Sequence, residues 1–113
     1  MHEMSLVESV LLLVEETARR EKANRVTAVV LEIGALASVE LEALRFCFEV
    51  ARNGSIAADA VLEIQEIPGQ GWCLPCGKAV TLARLGDTCP ACGSGQVQPT
   101  TGTEMRVKEI EIG

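Results

Sequence analysis

Cys73-Leu74-Pro75-Cys76-Gly77 and Cys89-Pro90-Ala91-Cys92-Gly93, with twelve residues between Cys76 and Cys89, decide the organisation of this 113-residue chain. Each C-x-x-C sets two sulfurs on one side of a tight turn, at a separation suited to two corners of a tetrahedron. The glycine after each pair permits positive φ, so that backbone N–H groups can turn toward the sulfurs. Pro75 and Pro90 stiffen the turns. Four thiolates close a tetrahedral zinc shell and leave no position for substrate, so Cys73, Cys76, Cys89 and Cys92 read as a structural zinc site. Iron accepts the same S4 donor set, and spacing alone does not separate the two metals. A thioredoxin-type redox pair is a weaker reading, because neither motif opens a convincing helix inside a βαβ unit.

The surroundings of the cysteines argue for a metal over free thiols. Residues 70–103 hold six of the ten glycines, three of the four prolines and only three charged residues, Lys78, Arg84 and Asp87. Thirty-four residues of this composition bury too little surface to fold unaided, since chains below about 40 residues usually need a disulfide or a metal. The segment therefore reads as a zinc-ribbon-like lobe inserted into a larger domain made of residues 1–69 plus 104–113.

That larger domain carries α+β patterning. From residue 4 to about 22, Leu6, Val7, Val10, Leu11, Leu13, Val14 and Ala18 fall on one side of a helix, with Glu8, Glu15, Glu16, Arg19 and Arg20 on the other. The helix is expected to fray at Ala23-Asn24. Val26–Ile33 is β-branched and ends at Gly34, which favours a strand. Ser38 is the expected N-cap of a second helix running to about Arg52, with Leu41, Leu44, Phe48 and Ala51 buried and Glu40 and Glu42 in its first turn. A second strand is expected over Ala60–Ile67, covered on one side only. The closing strand, Glu104–Ile112, slips phase at Lys108-Glu109, which predicts a β-bulge. The expected fold is α+β: two helices on one face of a small mixed sheet, with the cysteine lobe inserted.

Composition narrows the function. Hydrophobic residues make up 48% of the chain and aromatic residues 3%, so a real core is available and it is aliphatic. A net charge of −6 opposes nucleic acid and anionic membranes, whose phosphates would repel such a surface. No apolar run reaches the roughly 20 residues of a membrane helix. Val10–Val14 is apolar, but Glu3 and Glu8 precede it where a signal peptide carries Lys or Arg. It reads as a helix face in a cytoplasmic protein. Cys47, the fifth cysteine, reads as a small core hydrophobe among Leu44, Phe46, Phe48 and Val50.

The lone histidine, His2, would ordinarily be a solvated terminal residue. Its place beside Met1 nevertheless allows chemistry. The Met1 amine, the His2 amide nitrogen and its imidazole Nδ1 can close five- and six-membered chelate rings on one ion. Such tetragonal nitrogen donors suit Ni(II) or Cu(II). Glu3 can add its amide nitrogen or its carboxylate.

Met1-His2-Glu3-Met4-Ser5-Leu6, the Glu32-Ile33-Gly34 strand end, the paired C-x-x-C lobe and the closing Arg106-Val107-Lys108-Glu109-Ile110 resemble the HypA/HybF nickel-incorporation proteins of hydrogenase maturation. The resemblance covers essentially the whole chain in order. It implies an α/β domain that holds Ni(II) as transient cargo at Met1, His2 and Glu3, and a zinc domain held by the four cysteines. It also implies delivery to the large subunit of [NiFe] hydrogenase with a HypB-type GTPase, and in some members service to urease maturation proteins. One departure stands out: Gly77 and Gly93 follow the knuckles where some members have histidines. With no second histidine in the chain, a fourth nickel donor has to be a backbone nitrogen, an oxygen or water, or a partner's side chain.

No serine–histidine or cysteine–histidine partnership and no phosphate-binding glycine loop is visible, so a carrier is expected rather than an enzyme. Two other classes compete with it: a zinc-ribbon interaction module with an inert N-terminus, and a rubredoxin-like electron carrier.

Overall fold

The computed structural model describes residues 2–113. Helix α1, Glu3–Arg20, forms where the apolar residues recur at helical spacing, and it buries Val7, Val10, Leu11, Val14 and Ala18. Glu3 in its first turn and Arg19 and Arg20 in its last complement the helix dipole. Leu13, expected on the buried side, is 42% exposed, because the stripe that packs is narrower than the apolar run. The helix does not fray at Ala23. Lys22 takes a left-handed φ of 53°, Ala23 N–H donates to Ala18 O, and Lys22 N–H donates to Arg19 O. That pair of bonds is a Schellman closure, here made without glycine.

Strand β1, Val26–Gly34, buries residues on both faces and lies at the centre of a sheet ordered β2-β1-β6, with β2 over Val61–Ile67 and β6 over Met105–Ile112. The β1–β6 pairing is antiparallel: Gly34 N–H donates to Glu104 O at one end, and Gly113 N–H to Arg25 O at the other. Both ends share one register, so no net extra residue sits between them and the expected bulge at Lys108-Glu109 is not required. The pattern slips because Val107 and Ile110, three residues apart and so on opposite faces, are both half-buried. At the other edge Ala35 N–H donates to Ile67 O, which brings the C-terminal ends of β1 and β2 together. The sheet is mixed, as expected.

Helix α2, Leu41–Ala51, joins β1 to β2 and buries Leu44 and Phe48. Leu41 and Ala51 are only half-buried. Its N-cap is Glu40, and Ser38 stands outside the helix at φ 58°. Arg45 and Arg52 donate to the carbonyls of Leu62 and Ala60, which covers the start of the β2 edge. Cys47 is half-buried, while Phe46 and Val50 beside it are exposed.

The second sheet is antiparallel with order β4-β3-β5, formed by Gln70–Cys73 (β3), Lys78–Thr81 (β4) and Val97–Thr101 (β5). The α+β architecture read from the sequence is therefore present, with the cysteines on this second sheet and its loops. By contacts the chain divides into two compact units. One comprises Met1–Leu31, Val39–Ile64 and Val107–Gly113; the other comprises Glu32–Ser38 and Gln65–Arg106. The second unit thus takes in the end of β1 and the turn after it. That turn supplies Leu36 to a small core with Cys73, Val80, Leu82 and Cys89.

Candidate metal centre

Cys73 closes β3, and Cys76 follows in the turn that leads into β4. Gly77 N–H donates to Cys73 O at 2.8 Å, and Gly93 N–H donates to Cys89 O at 2.8 Å. Gly77 and Gly93 have φ of 63° and 77°, so both turns use the positive φ that the sequence anticipated. Their N–H groups, however, close the turn onto carbonyls. The N–H groups that reach sulfur lie inside each knuckle: Ala91 N–H donates to Cys89 Sγ at 3.4 Å, Cys92 N–H also bonds the Cys89 sulfur, and Cys76 N–H bonds the Cys73 sulfur.

The four Sγ atoms lie within 4.8 Å of one another. Cys73 and Cys92 sulfurs are 3.6 Å apart, and those of Cys76 and Cys89 are 3.9 Å apart. A zinc tetrathiolate with bonds of about 2.3 Å has sulfur–sulfur edges of roughly 3.8 Å. Disulfide sulfurs stand at about 2.05 Å, and all the cysteines are free. The arrangement fits one tetrahedral ion. Leu36, Val80 and Leu82 pack beneath it, with Cys76 and Val97 against the same core. Cys73 and Cys89 are buried, Cys76 is half-buried and Cys92 is exposed.

The sulfurs are electrostatically unequal. The Cys76 thiol is pushed up to about 12, chiefly by its contacts with the Cys92 and Cys73 sulfurs. For Cys89, burial opposes ionisation, but the backbone N–H groups of Cys92 and Ala91, together with the Cys73 and Cys92 thiols, outweigh it and bring the thiol down to about 6. One thiolate is thus already favoured, while further ionisation at Cys76 calls for a cation among the sulfurs.

The N-terminal candidates are disposed differently. His2 is the exposed N-cap of α1, in extended conformation, and its carbonyl accepts Leu6 N–H at 3.2 Å. Its own amide precedes the helical ladder, as do the first-turn amides including that of Glu3. Glu3 is half-buried and its Oε2 accepts the Glu40 N–H at 3.2 Å, which holds the carboxyl below its ordinary pKa. Nothing in the sequence signalled that contact across 37 positions. Met1 lies outside the described residues. Among the described residues, the four cysteines are the side-chain group able to hold a metal ion; His2 and Glu3 would have to act largely through backbone nitrogen.

The comparison with known proteins follows the same outline. The family model described as "Hydrogenase/urease nickel incorporation, metallochaperone, hypA" matches residues 1–112. The chain belongs to the HypA family. It is 65% identical over 112 residues to a hydrogenase maturation factor HypA of Dechloromonas aromatica, across 99% of each chain. A counterpart in Azoarcus is 56% identical, across 100% of this chain and 99% of that one. Among solved structures, that of the nickel metallochaperone HypA from Helicobacter pylori superposes with a TM-score of 0.70 at 32% identity, covering 99% of this chain and 97% of that one. The chain is accordingly a nickel metallochaperone of hydrogenase maturation, a carrier and not a catalyst.

Proposed function

We propose that the protein carries one Ni(II) at its N-terminus, bound by the Met1 amine, the His2 amide and imidazole nitrogens and the Glu3 amide, and that the four cysteines hold a structural zinc ion. The observation that carries the nickel reading is the position of His2. It is the exposed N-cap of a helix buried on one face, so its amide can give up a proton to a metal without breaking a helical hydrogen bond. Zinc is the occupant that suits a closed S4 set on a small aliphatic core. Residues 1–69 with 104–113 then form the nickel-carrying part, and residues 70–103 form the zinc-carrying part.

In this reading the cargo passes to the large subunit of [NiFe] hydrogenase in the cytoplasm, with a HypB-type GTPase as partner and urease maturation proteins as further recipients. Among the described residues, no helix is long and apolar enough to cross a membrane. Nickel titration of full-length protein with a native N-terminus tests the site, and metal analysis after purification without added metal tests the zinc. A second reading, a zinc-ribbon interaction module without nickel function, has one observation in its favour. Trp72, Leu74 and Leu85, all in the cysteine-bearing unit, are 44%, 56% and 54% exposed. Absence of one-to-one nickel binding at the native N-terminus would select it.

A further inference from the structure

We propose that the Glu3 side chain is the positioning residue of the N-terminal nickel site, a brace between the starts of α1 and α2, and is not itself a nickel ligand. The inference rests on the nickel reading above and assigns Glu3 two separate tasks, the amide to the metal and the carboxylate to the fold.

The brace is a single contact between two helix N-termini. Glu3 opens α1, Glu40 is the N-cap of α2, and the carboxylate of the first accepts the backbone N–H of the second. No side chain caps either helix from its own N-cap position. One carboxylate therefore sits in the first turn of α1 and against the start of α2, and both dipoles favour negative charge there. Glu3 is half-buried while His2, Met4 and Ser5 around it are exposed. Its side chain is laid down on the protein, and its neighbours are not.

The consequence reaches His2 through the backbone. The His2 carbonyl is fixed by Leu6 N–H, and the next residue is anchored by its carboxylate to α2. With both restraints in place, the His2 and Glu3 amides are held in one orientation, and the His2 imidazole is left to close on the ion. Groups that orient metal ligands in this way typically change metal affinity about ten- to a hundredfold when removed. Oε2 is committed to Glu40, so a carboxylate ligand would have to bind through Oε1 alone.

Three variants of the full, zinc-loaded chain with a native N-terminus separate the roles. Nickel ion alone is titrated into Glu3→Gln, Glu3→Asp and Glu3→Ala by calorimetry, and the Glu40 amide is followed by NMR in the nickel-free proteins. Gln keeps an oxygen at the right reach to accept from Glu40, whereas Asp keeps the charge but is one methylene short. The brace predicts that Gln stays within about threefold of the parent while Asp and Ala fall about ten- to a hundredfold. It also predicts that the Glu40 amide shifts and loses exchange protection in Asp and Ala only. Gln falling with Ala, Asp binding as well as or better than Gln, or Ala binding like the parent would each overturn it. The Glu40 amide is read without nickel, so the brace contact is tested even if His2→Ala were to leave nickel binding untouched and sink the nickel reading itself.

Discussion

A methyl group on Gly34 would fall 1.9 Å from the carbonyl oxygen of Gly102. Two backbones pass at van der Waals contact there. Gly102 takes φ of 96° to do so, and its carbonyl accepts the Leu36 N–H. Neither backbone can withdraw without breaking bonds, since Gly34 N–H is also committed to Glu104 O. Gly34→Ala is expected to destabilise the protein by at least about 3 kcal/mol, at the severe end for overpacking. Urea unfolding of the metal-loaded protein measures it; a loss under about 1 kcal/mol would mean that the approach relaxes freely.

Helix α1 ends on a non-glycine residue in the left-handed region, Lys22 at φ 53°. That conformation costs an L side chain roughly 1–2 kcal/mol. Lys22→Gly should therefore stabilise the protein, by about 0.5–1 kcal/mol after the greater entropy of glycine in the unfolded chain is subtracted. A shift of the urea midpoint to higher denaturant, with unchanged slope, is the expected outcome. A lower midpoint would contradict the Schellman closure.

Replacing any one of Cys73, Cys76, Cys89 or Cys92 with serine is expected to release the metal and unfold the small sheet around it. Structural zinc contributes on the order of 10 kcal/mol to domains of this kind, and Leu36, Val80 and Leu82 are too small a core to replace it. Amide exchange should show protection lost over residues 70–103 and kept in α1, α2 and the Val26–Leu31 part of β1. Stoichiometric zinc in the serine variants would refute the assignment. Cys47→Ala should leave metal content unchanged.

Metal capture by the cysteines should release protons and strengthen with rising pH. Cys89, drawn down to about 6, is largely ionised at neutrality, while Cys76, held up at about 12, releases its proton to solvent only when the metal displaces it. Acidification works the other way. As pH falls through about 6, the metal-free protein takes a proton on Cys89, and competition with the ion grows. Zinc affinity measured against a chelator of known proton dependence between pH 5.5 and 8 should rise throughout. A flat profile would show that the thiols are not the ligands.

Much of this was legible in the residues. The spacing of Val7, Val10, Leu11, Val14 and Ala18 gave the buried stripe of α1, because helical periodicity is a local property. The paired C-x-x-C motifs gave the sulfur cluster for the same reason, since each turn is built within five residues. What the sequence did not disclose depends on partners far along the chain. Ser38 has the chemistry of an N-cap but sits in the left-handed region two residues before Glu40, where the path between β1 and α2 is set by tertiary packing. Leu36 follows a strand and has no periodicity to mark it as core, yet it packs beneath Cys73 and Cys89. The phase slip in β6 looked like an insertion because apolar residues on both faces of an edge strand give the same pattern.

The central claim, that nickel is held at the N-terminus through His2, is tested most directly by calorimetric nickel titration of three zinc-loaded proteins. These are the parent with a native N-terminus, His2→Ala, and the parent extended at the N-terminus by a short histidine-free tag. The Met1 amine has an intrinsic pKa of about 8, so binding to the parent should tighten as pH rises above neutrality. Extension converts that amine to an amide and removes its charge. The expected outcome is one nickel per chain in the parent, loss of specific binding in His2→Ala and weakened binding in the extended protein, with zinc content the same in all three. Equal one-to-one affinity in the parent, His2→Ala and the extended protein would contradict it.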